Sequence, residues 1–416
     1  MNSDNLNSTG SLAGIRVIEI GTSVAAPYAA QVLGDFGADV IKVERTGTGD
    51  DSRNWAPPEW EGYSVAFLAL NRNKQSVVID YKTQQGREVL ERLIAGADVL
   101  IQNLRPGSFA QAGFSAERLL ELNPRLIYCE MSGYGRTGPR SQQPAYDPLL
   151  QAYSGIVSIT GDDDGAPARV PVSVLDMGTG MWTALSVFEA LRRRDVTGKG
   201  SHVELSLLQT ALTWLTPPLM ACAAGDPPPR RLGSGFGGVV PYGAFPTRDG
   251  HVFISAGNDD AWRRLISALE CVDLDDLPGF GSNGNRVRNR ETVVATLSAR
   301  TSNFTSAEVV DRLTQANVPH SPVNTVDKVL VDEQVQALGQ IQAAPEHAIA
   351  NLKLVNLPMT FDGQYPVITK APPELGQNTE SVLASLGMDS GQIEALLASG
   401  VVEAGKAAII TEEVSI

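Results

Sequence analysis

The sequence predicts an α/β protein with a Rossmann-like, parallel-sheet large domain and a smaller α+β domain. Three observations support this prediction. Strand and helix patterns alternate from residue 16 to residue 131, a proline-rich break follows at 225–230, and strands and helices are mixed after it. Such alternation indicates a parallel sheet covered by helices. Ligands then bind beyond the carboxyl ends of the strands.

Hydrophobic periodicity defines the individual elements. In the large domain, strands are expected at 16–20, 39–44, 76–80, 98–102 and 125–131, and helices at 27–35 and 83–94. Beyond the break, strands are expected at 240–245, 251–256 and 321–324, and helices at 260–269, 290–300, 306–316, 379–386 and 391–397. Because prolines cannot continue a helix, the break marks a boundary. The predicted divisions are a large domain over 1–225, a small domain over 226–325, and a segment over 326–416 that returns to the large domain.

Composition excludes several classes of protein. The chain has 416 residues, a formal net charge of -14 and a pI near 4.8, which disfavours binding to nucleic acid or anionic membrane. Three separated cysteines, Cys129, Cys222 and Cys271, form no CxxC pair, so we expect a reducing cytoplasm and neither disulfides nor zinc. The polar first residues do not resemble a signal peptide, and no apolar run reaches membrane-spanning length.

Asp176 is the most informative single residue. It precedes a helical pattern over 181–191, so it is expected at a helix start, where free N–H groups and the helix dipole keep a carboxylate ionised. The alternative is a simple N-cap, which stabilises a helix by about 1 kcal/mol. Gly178 and Gly180 follow, although glycine costs up to ~1 kcal/mol inside a helix. We therefore expect something to approach this backbone closely.

Basic residues follow the predicted strands. They are Arg45, Arg72, Lys74, Arg105, Arg136 and Arg140. In a parallel sheet these loops share one edge, where the charges could face a polyphosphate ligand. The alternative is that they are ordinary solvated loop residues.

A GxGxxG pattern occurs at Gly233, Gly235 and Gly238, but prolines flank it, whereas a dinucleotide site requires a strand before it and a helix after it. A flexible loop that closes over a site is the better interpretation, and a plain linker is the alternative. The four histidines form no metal motif, so no metal site is predicted.

Taken together, several ordered stretches resemble the family III CoA-transferases. They are Gly14–Glu19, Leu33–Glu44, Asn71–Lys74, Asn103–Gly107, Tyr146–Pro148, Asp176, Val318–Asn324 and Ala371–Gly376. The resemblance implies that Asp176 attacks an acyl-CoA thioester to give a mixed anhydride, that CoA then forms an aspartyl thioester, and that an acceptor acid takes over the CoA. It implies an interlocked, ring-like homodimer. CoA enters as a substrate, and no permanently bound cofactor is expected.

The resemblance also assigns supporting residues. Predicted CoA contacts are Val24, Ala25, Arg45, Lys74, Asn103 and Arg105, joined by Arg72, Arg136 and Tyr146. Trp55 is expected to line the substrate pocket, and Gly233, Gly235, Gly237 and Gly238 to form a mobile loop that shields the intermediates.

Two alternatives and one departure accompany this interpretation. Racemases of the same family use a histidine where Tyr146 stands, and a tyrosine is a poor base at neutral pH, so transfer is favoured over racemisation. A CoA-binding subunit of a heteromeric transferase is the second alternative. Phe236 interrupts the glycine run, which disfavours oxalate and formate as substrates. The first expectation is therefore a succinate-like dicarboxylate as the substrate acid, with succinyl-CoA as the donor.

Overall fold

The computed structural model describes residues 10–405, which form two compact units. Unit 1 contains residues 10–154, 171–216 and 338–405, and unit 2 contains residues 155–170 and 217–337. Unit 2 therefore includes a short segment, 155–170, that the predicted divisions place in the large domain. It also continues to residue 337, beyond the predicted boundary at 325.

The strands are β1 (Arg16–Ile20), β2 (Asp39–Glu44), β3 (Glu59–Trp60), β4 (Tyr63–Ser64), β5 (Lys74–Ile79), β6 (Val99–Gln102), β7 (Ile127–Ser132), β8 (Ser201–Ser206), β9 (Tyr242–Pro246), β10 (His251–Ser255), β11 (His320–Pro322), β12 (Ile341–Ala343), β13 (Lys353–Val355) and β14 (Val402–Glu403).

The helices are α1 (Ala25–Asp35), α2 (Val65–Leu70), α3 (Gln84–Ala95), α4 (Ser108–Gln111), α5 (Ala116–Leu122), α6 (Asp147–Ser154), α7 (Ile156–Ile159), α8 (Val174–Thr197), α9 (Leu207–Trp214), α10 (Thr216–Ala223), α11 (Asp259–Ala268), α12 (Asn283–Arg288), α13 (Arg290–Thr301), α14 (Ser306–Gln315), α15 (Val326–Val331), α16 (Glu333–Leu338), α17 (Thr379–Ser385) and α18 (Ser390–Ala398). Short 3-10 helices lie at Asp51–Asn54 and Val272–Asp276.

A seven-stranded sheet organises unit 1, in the order β14-β5-β2-β1-β6-β7-β8. All its neighbouring strands are parallel except β14, which runs antiparallel to β5. The predicted α/β class with a parallel sheet is confirmed. Sequence patterning missed β14 because it has only two residues.

Helices cover both faces of this sheet. Alternate residues of β1 point to opposite sides, so that Val17 joins a core with α1 and α8 whereas Ile18 joins a core with α3, α17 and α18. Strands buried on both faces explain the nearly continuous apolar runs that marked them in the sequence.

Unit 2 has its own core. The antiparallel sheet β11-β10-β9 packs with α11, α13 and α14 around the buried Trp262. This matches the predicted α+β character. Across residues 10–405, no helix combines the length and the apolar character that crossing a bilayer requires.

Candidate active site

Asp176 is the third residue of α8, and the helix begins two residues before it. The N-cap is Ser173, whose side chain makes no capping hydrogen bond. The alternative prediction that Asp176 is the N-cap is therefore wrong, although its expected place in the first turn is correct.

The capping group comes from another helix. Oδ2 of Asp147 accepts the backbone N–H groups of Leu175, at 2.7 Å, and Asp176, at 3.1 Å. Val174 donates to the Val172 carbonyl and Met177 to that of Ser173. Since these first-turn donors are occupied, they are not the free N–H groups that were expected at this helix start. Sequence reasoning named Asp147 only within the stretch Tyr146–Pro148 and missed its capping role, because it lies 28 residues from Leu175.

The Asp176 carboxylate itself accepts no hydrogen bond from the described residues, and it is half-buried. Burial, with a smaller contribution from the Asp147 charge, raises the pKa of Asp176 to about 7. The expectation that the helix start keeps this group ionised is thus corrected. The donors that would have stabilised its charge are bonded to Asp147 instead.

Gly178 and Gly180 allow helices to pack closely. A Cβ on Gly178 would lie 2.9 Å from the Trp214 ring of α9, and one on Gly180 would lie 2.8 Å from the Ala25 carbonyl oxygen of α1. Side chains at either position would collide with neighbouring helices. The two glycines therefore bring α8 against α9 and α1, so neighbouring helices make the close approach that was expected at this backbone.

This packing brings the start of α1 close to Asp176. Residues 176 and 180 are four apart, so they lie on one face of α8, and Gly180 contacts α1 at Ala25. The backbone N–H groups of Val24 and Ala25 have no acceptor among the described residues. A carboxyl group with a raised pKa and unpaired backbone donors therefore share one region of unit 1.

Two predicted CoA contacts lie in the interior. Arg72 is buried, forms a bidentate pair with Asp35, with 2.7 Å from Nη2 to Oδ2, and donates to the Val355 carbonyl. Lys74 is also buried; its Nζ lies 2.9 Å from Oε2 of Glu19 and donates to the Pro27 carbonyl. Burial lowers the pKa of Lys74 to about 8. The structure contradicts both predictions, because both side chains are buried and bonded to other groups of the protein.

Glu19 extends this buried charge cluster. Its Oε1 lies 2.6 Å from Nζ of Lys42, which is 2.7 Å from Asp50. These charges hold β1, β2 and β5 together beneath the loop at 21–24, since Asp50 also accepts the Ser23 N–H group. The cluster therefore helps to fix the position of the loop that leads into α1.

The remaining basic side chains lie on the surface. Arg45 pairs with Asp51 and Arg136 with Glu204, whereas the Arg105 guanidinium has no partner among the described residues. They follow β2, β7 and β6 in turn, so they share the carboxyl edge of the sheet, as expected. Asn103 uses its amide to bind both backbone groups of Thr22.

A cavity of about 480 Å³ lies at the same edge in unit 1. Pro106, Gly107, Tyr134, Arg136, Gln142 and His202 are among its lining residues. Sequence reasoning missed this cavity, because its lining comes from segments far apart in the chain. The only early signal was the position of Arg136 after a strand.

Glu130, His202 and Glu204 place three potential ligand atoms within 4.8 Å of one another at β7 and β8. Groups of the protein already contact both carboxylates: Nε2 of His202 lies 3.3 Å from Glu130, and Arg136 donates to Glu204. We therefore assign no metal to this cluster.

The predicted pocket residue Trp55 and the predicted CoA contact Tyr146 are on the surface of unit 1. Trp55 is 40% exposed, and Tyr146 is 60% exposed beside the buried Asp147. Both side chains are accessible to a ligand.

The glycine loop belongs to unit 2. Gly233 has a φ of 58°, a left-handed conformation that favours glycine, and a Cβ there would lie 2.5 Å from Asp162. Arg290 donates to the carbonyls of Phe236 and Gly237, and Asn283 to that of Gly238. The strand β9 follows the loop, which confirms that the GxGxxG pattern is not a dinucleotide fingerprint.

Known proteins resemble the chain over most of its length. A family model described as CoA-transferase family III matches residues 12–379. The succinyl-CoA:glutarate CoA-transferase of Mus musculus is 35% identical, and the match covers 94% of this chain and 90% of the mouse protein. The succinate–glutarate CoA-transferase of Agrobacterium fabrum is 36% identical, and the match covers 90% of this chain and 95% of the Agrobacterium protein. The solved structure of a CAIB/BAIF family protein from Brucella suis has a TM-score of 0.84 at 33% identity. The match covers 91% of this chain and 100% of the Brucella chain.

Proposed function

Since the chain belongs to CoA-transferase family III and is a CoA-transferase, we propose that it moves CoA from an acyl-CoA donor to a carboxylic acid by way of Asp176. The observation that carries this proposal is the state of the Asp176 carboxylate. It is half-buried and accepts no hydrogen bond from the described residues, and its raised pKa increases its basicity. Such a group is suited to attack a carbonyl carbon.

The reaction then follows four balanced steps. An ionised Asp176 oxygen attacks the thioester carbonyl, the C–S bond breaks, and CoA thiolate leaves behind a mixed anhydride. The thiolate attacks the aspartyl carbonyl and expels the donor acid. The acceptor carboxylate attacks the resulting aspartyl-CoA thioester, forming a new anhydride and releasing thiolate. Thiolate finally attacks the acceptor carbonyl, which gives the new acyl-CoA and restores Asp176.

Backbone and surface groups support CoA binding in unit 1. The unpaired N–H groups of Val24 and Ala25 are candidates to bind an oxyanion or a CoA oxygen beside Asp176. We propose that Arg105, free of any described partner, contacts a CoA phosphate, with Arg45, Asn103, Arg136 and Tyr146 at the same edge.

We propose dicarboxylic acids as the substrates, with succinyl-CoA as the first donor to test. The names of the mouse and Agrobacterium relatives support succinate and glutarate. Phe236, which is 58% exposed in the glycine loop, supports an acceptor larger or less polar than oxalate. We further propose that Trp55 lines the pocket and that the glycine loop shields the intermediates.

We propose that the protein forms the interlocked homodimer implied by the family resemblance. An apolar surface supports this proposal: Met177, Met181, Trp182 and Leu185 are exposed along α8, and the Trp182 ring lies 6.2 Å from that of Trp214. Large exposed apolar surfaces mark protein–protein contacts. A cytoplasmic location is also proposed, supported by three cysteines that are all free thiols.

The residue at the position of the racemase histidine does not favour racemisation. Tyr146 stands where racemases have a histidine, His202 stacks on Tyr128 and His347 packs on Tyr63. The transferase proposal therefore has the stronger support.

Mass spectrometry of the pure protein with a panel of acyl-CoA donors and acids tests the proposal. We expect new thioesters with dicarboxylic acceptors and an acyl or CoA adduct on a peptide that contains Asp176. Asp176→Asn preserves the shape and should lose both. Full transfer by Asp176→Asn would disprove the role of this residue, and deuterium uptake at the α-carbon without an acceptor would indicate a racemase.

A further inference from the structure

The Asp176 carboxylate is unusual for an acid in the first turn of a helix, where such side chains commonly accept backbone N–H groups. It accepts none from the described residues, because Oδ2 of Asp147 takes the N–H groups of Leu175 and of Asp176 itself. The donors nearest to Asp176 are thus occupied by a second carboxylate.

We propose that Asp147 is a positioning residue for the transfer reaction: it occupies the amino-terminal donors of α8 and thereby keeps the Asp176 carboxylate free to attack the donor thioester. This inference rests on the proposed role of Asp176. Asp147 contacts the backbone of the nucleophile and none of the reacting atoms, so it acts through Asp176.

The surroundings of Asp147 fit this task. Its side chain is 1% exposed, and its other oxygen, Oδ1, accepts the side-chain amide of Gln151, one turn further along α6. A buried carboxylate is costly unless hydrogen bonds satisfy it. Three N–H groups satisfy this one, and two of them belong to α8, so Asp147 ties the first turns of α6 and α8 together.

Charge adds a second effect. The ionisable side chains on α1, α6, β7 and β8, which pack against α8, are Tyr28, Asp35, Asp147, Tyr153, Tyr128, Cys129, Glu130, His202 and Glu204, while α9 carries none. On α8 itself, Glu189, Arg192, Arg193, Arg194 and Asp195 lie in its second half. Among all these groups, Asp147 is the one whose charge raises the pKa of Asp176. It therefore also makes the free carboxylate more basic.

Two substitutions separate position from charge. Asp147→Ala removes the acceptor, so the Asp176 carboxylate can turn back onto the helix N–H groups. Asp147→Asn keeps an oxygen acceptor of the same shape and removes the charge. Asp195→Asn is the matched control, since it removes one exposed carboxylate from the same helix, 19 residues away and roughly 28 Å along its axis.

The experiment measures the single-turnover rate of adduct formation on Asp176 with succinyl-CoA between pH 5 and 9. For Asp147→Ala we expect at least a roughly tenfold lower plateau rate. For Asp147→Asn we expect a plateau within about threefold of wild type and a midpoint about one pH unit lower, because a like charge has gone. Asp195→Asn should match wild type in both respects.

Wild-type plateaus and midpoints in both Asp147 variants would overturn the proposal. It would also be overturned if Asp147→Ala merely lost thermal stability while Asp147→Asn kept the wild-type midpoint, since a purely structural residue would behave in that way.

The second measurement follows the ¹³C NMR signal of the Asp176 carboxyl group as a function of pH and needs no substrate. The signal is assigned by its absence from the Asp176→Asn variant. If no acyl-CoA labels the wild-type protein, the proposed function fails, and this titration still tests the effect of Asp147 on the Asp176 carboxylate. A midpoint that falls in Asp147→Asn supports it, and an unchanged midpoint contradicts it.

Discussion

Asp176 combines a first-turn position with a raised pKa, and these two properties normally oppose each other. Here burial dominates, and the helix donors are bonded to Asp147, so the electrostatic benefit of the helix start goes to the second carboxylate. The result is a carboxyl group that titrates close to neutral pH while its neighbour is stabilised.

This pKa predicts the pH dependence of adduct formation. Only ionised Asp176 attacks, so the single-turnover rate should rise with pH through a midpoint near 7 and should fall about tenfold for each pH unit well below it. Rapid-quench measurements from pH 5 to 9 check this. A flat profile down to pH 5 would show that the carboxyl group keeps an ordinary pKa.

The same group makes stability depend on pH. The folded pKa lies above the value of about 3.9 expected for an unfolded chain, so the folded state holds its proton more tightly. Between about pH 4 and 7 the free energy of unfolding therefore decreases with pH, because Asp176 is ionised in the unfolded chain while the folded chain keeps its proton. In urea titrations, the stability advantage of Asp176→Asn should grow across this window and stay constant above it. An advantage that is the same at pH 4 and pH 8 would contradict this.

Arg72 and Arg105 form a matched pair of arginines with opposite roles. Arg72→Ala leaves Asp35 buried without its partner and should cost about 3–5 kcal/mol of unfolding free energy. Arg105→Ala removes an exposed side chain without a described partner, so stability should change by less than about 0.5 kcal/mol while CoA binding weakens. Urea denaturation and calorimetric CoA titration measure the two effects. Equal stability losses would show that Arg105 is also structural.

At the level of elements, the contact between α8 and α1 sets the geometry of the site. Gly180 meets the backbone of α1 at the Ala25 carbonyl, whereas Gly178 meets side chains, those of Trp214 and Thr210. Backbone is harder to displace than a side chain. The separation of α8 and α1 at Gly180 therefore sets the distance from the Val24 and Ala25 N–H groups to Asp176.

Alanine substitutions should rank accordingly. Gly180→Ala should destabilise the protein by about 1–3 kcal/mol through overpacking and should lower the rate of adduct formation. Gly178→Ala should cost less, because the Trp214 ring can shift and alanine favours the helix by up to ~1 kcal/mol. Thermal denaturation and single-turnover rates measure both variants. The reverse order would show that α9, not α1, limits the approach.

At the level of the whole molecule, the apolar face of α8 predicts self-association. Met181 and Leu185 are 54% and 57% exposed, one turn apart. Met181→Glu with Leu185→Glu should therefore shift the protein to a monomer in light scattering after size exclusion. Val272→Glu, at an exposed apolar residue of unit 2, is the control and should leave the mass unchanged. A dimer that survives the double substitution would place the interface elsewhere.

Much of the fold could be predicted because its signals are local. The strand patterns at Arg16–Ile20 and Asp39–Glu44 match β1 and β2 residue for residue, since strands covered on both faces are rich in apolar residues. The buried pair Glu19 and Lys42 interrupts the two patterns without hiding them. The two-residue β14 gave no such signal, and it is held by pairing with β5 and by the burial of Val402 in the core. Short edge elements depend on their partners and not on their own pattern.

Sequence alone determined the parallel sheet, the family resemblance and the first-turn position of Asp176, because periodicity and the order of motifs can be read directly along the chain. Tertiary structure decided which charges are free. Arg72 is bound to Asp35 across 37 residues, and Asp147 caps α8 across 28. Desolvation and hydrogen bonding depend on neighbours in space. For that reason only the folded chain shows that Arg72 is structural and that the Asp176 carboxylate is unbonded and titrates near pH 7.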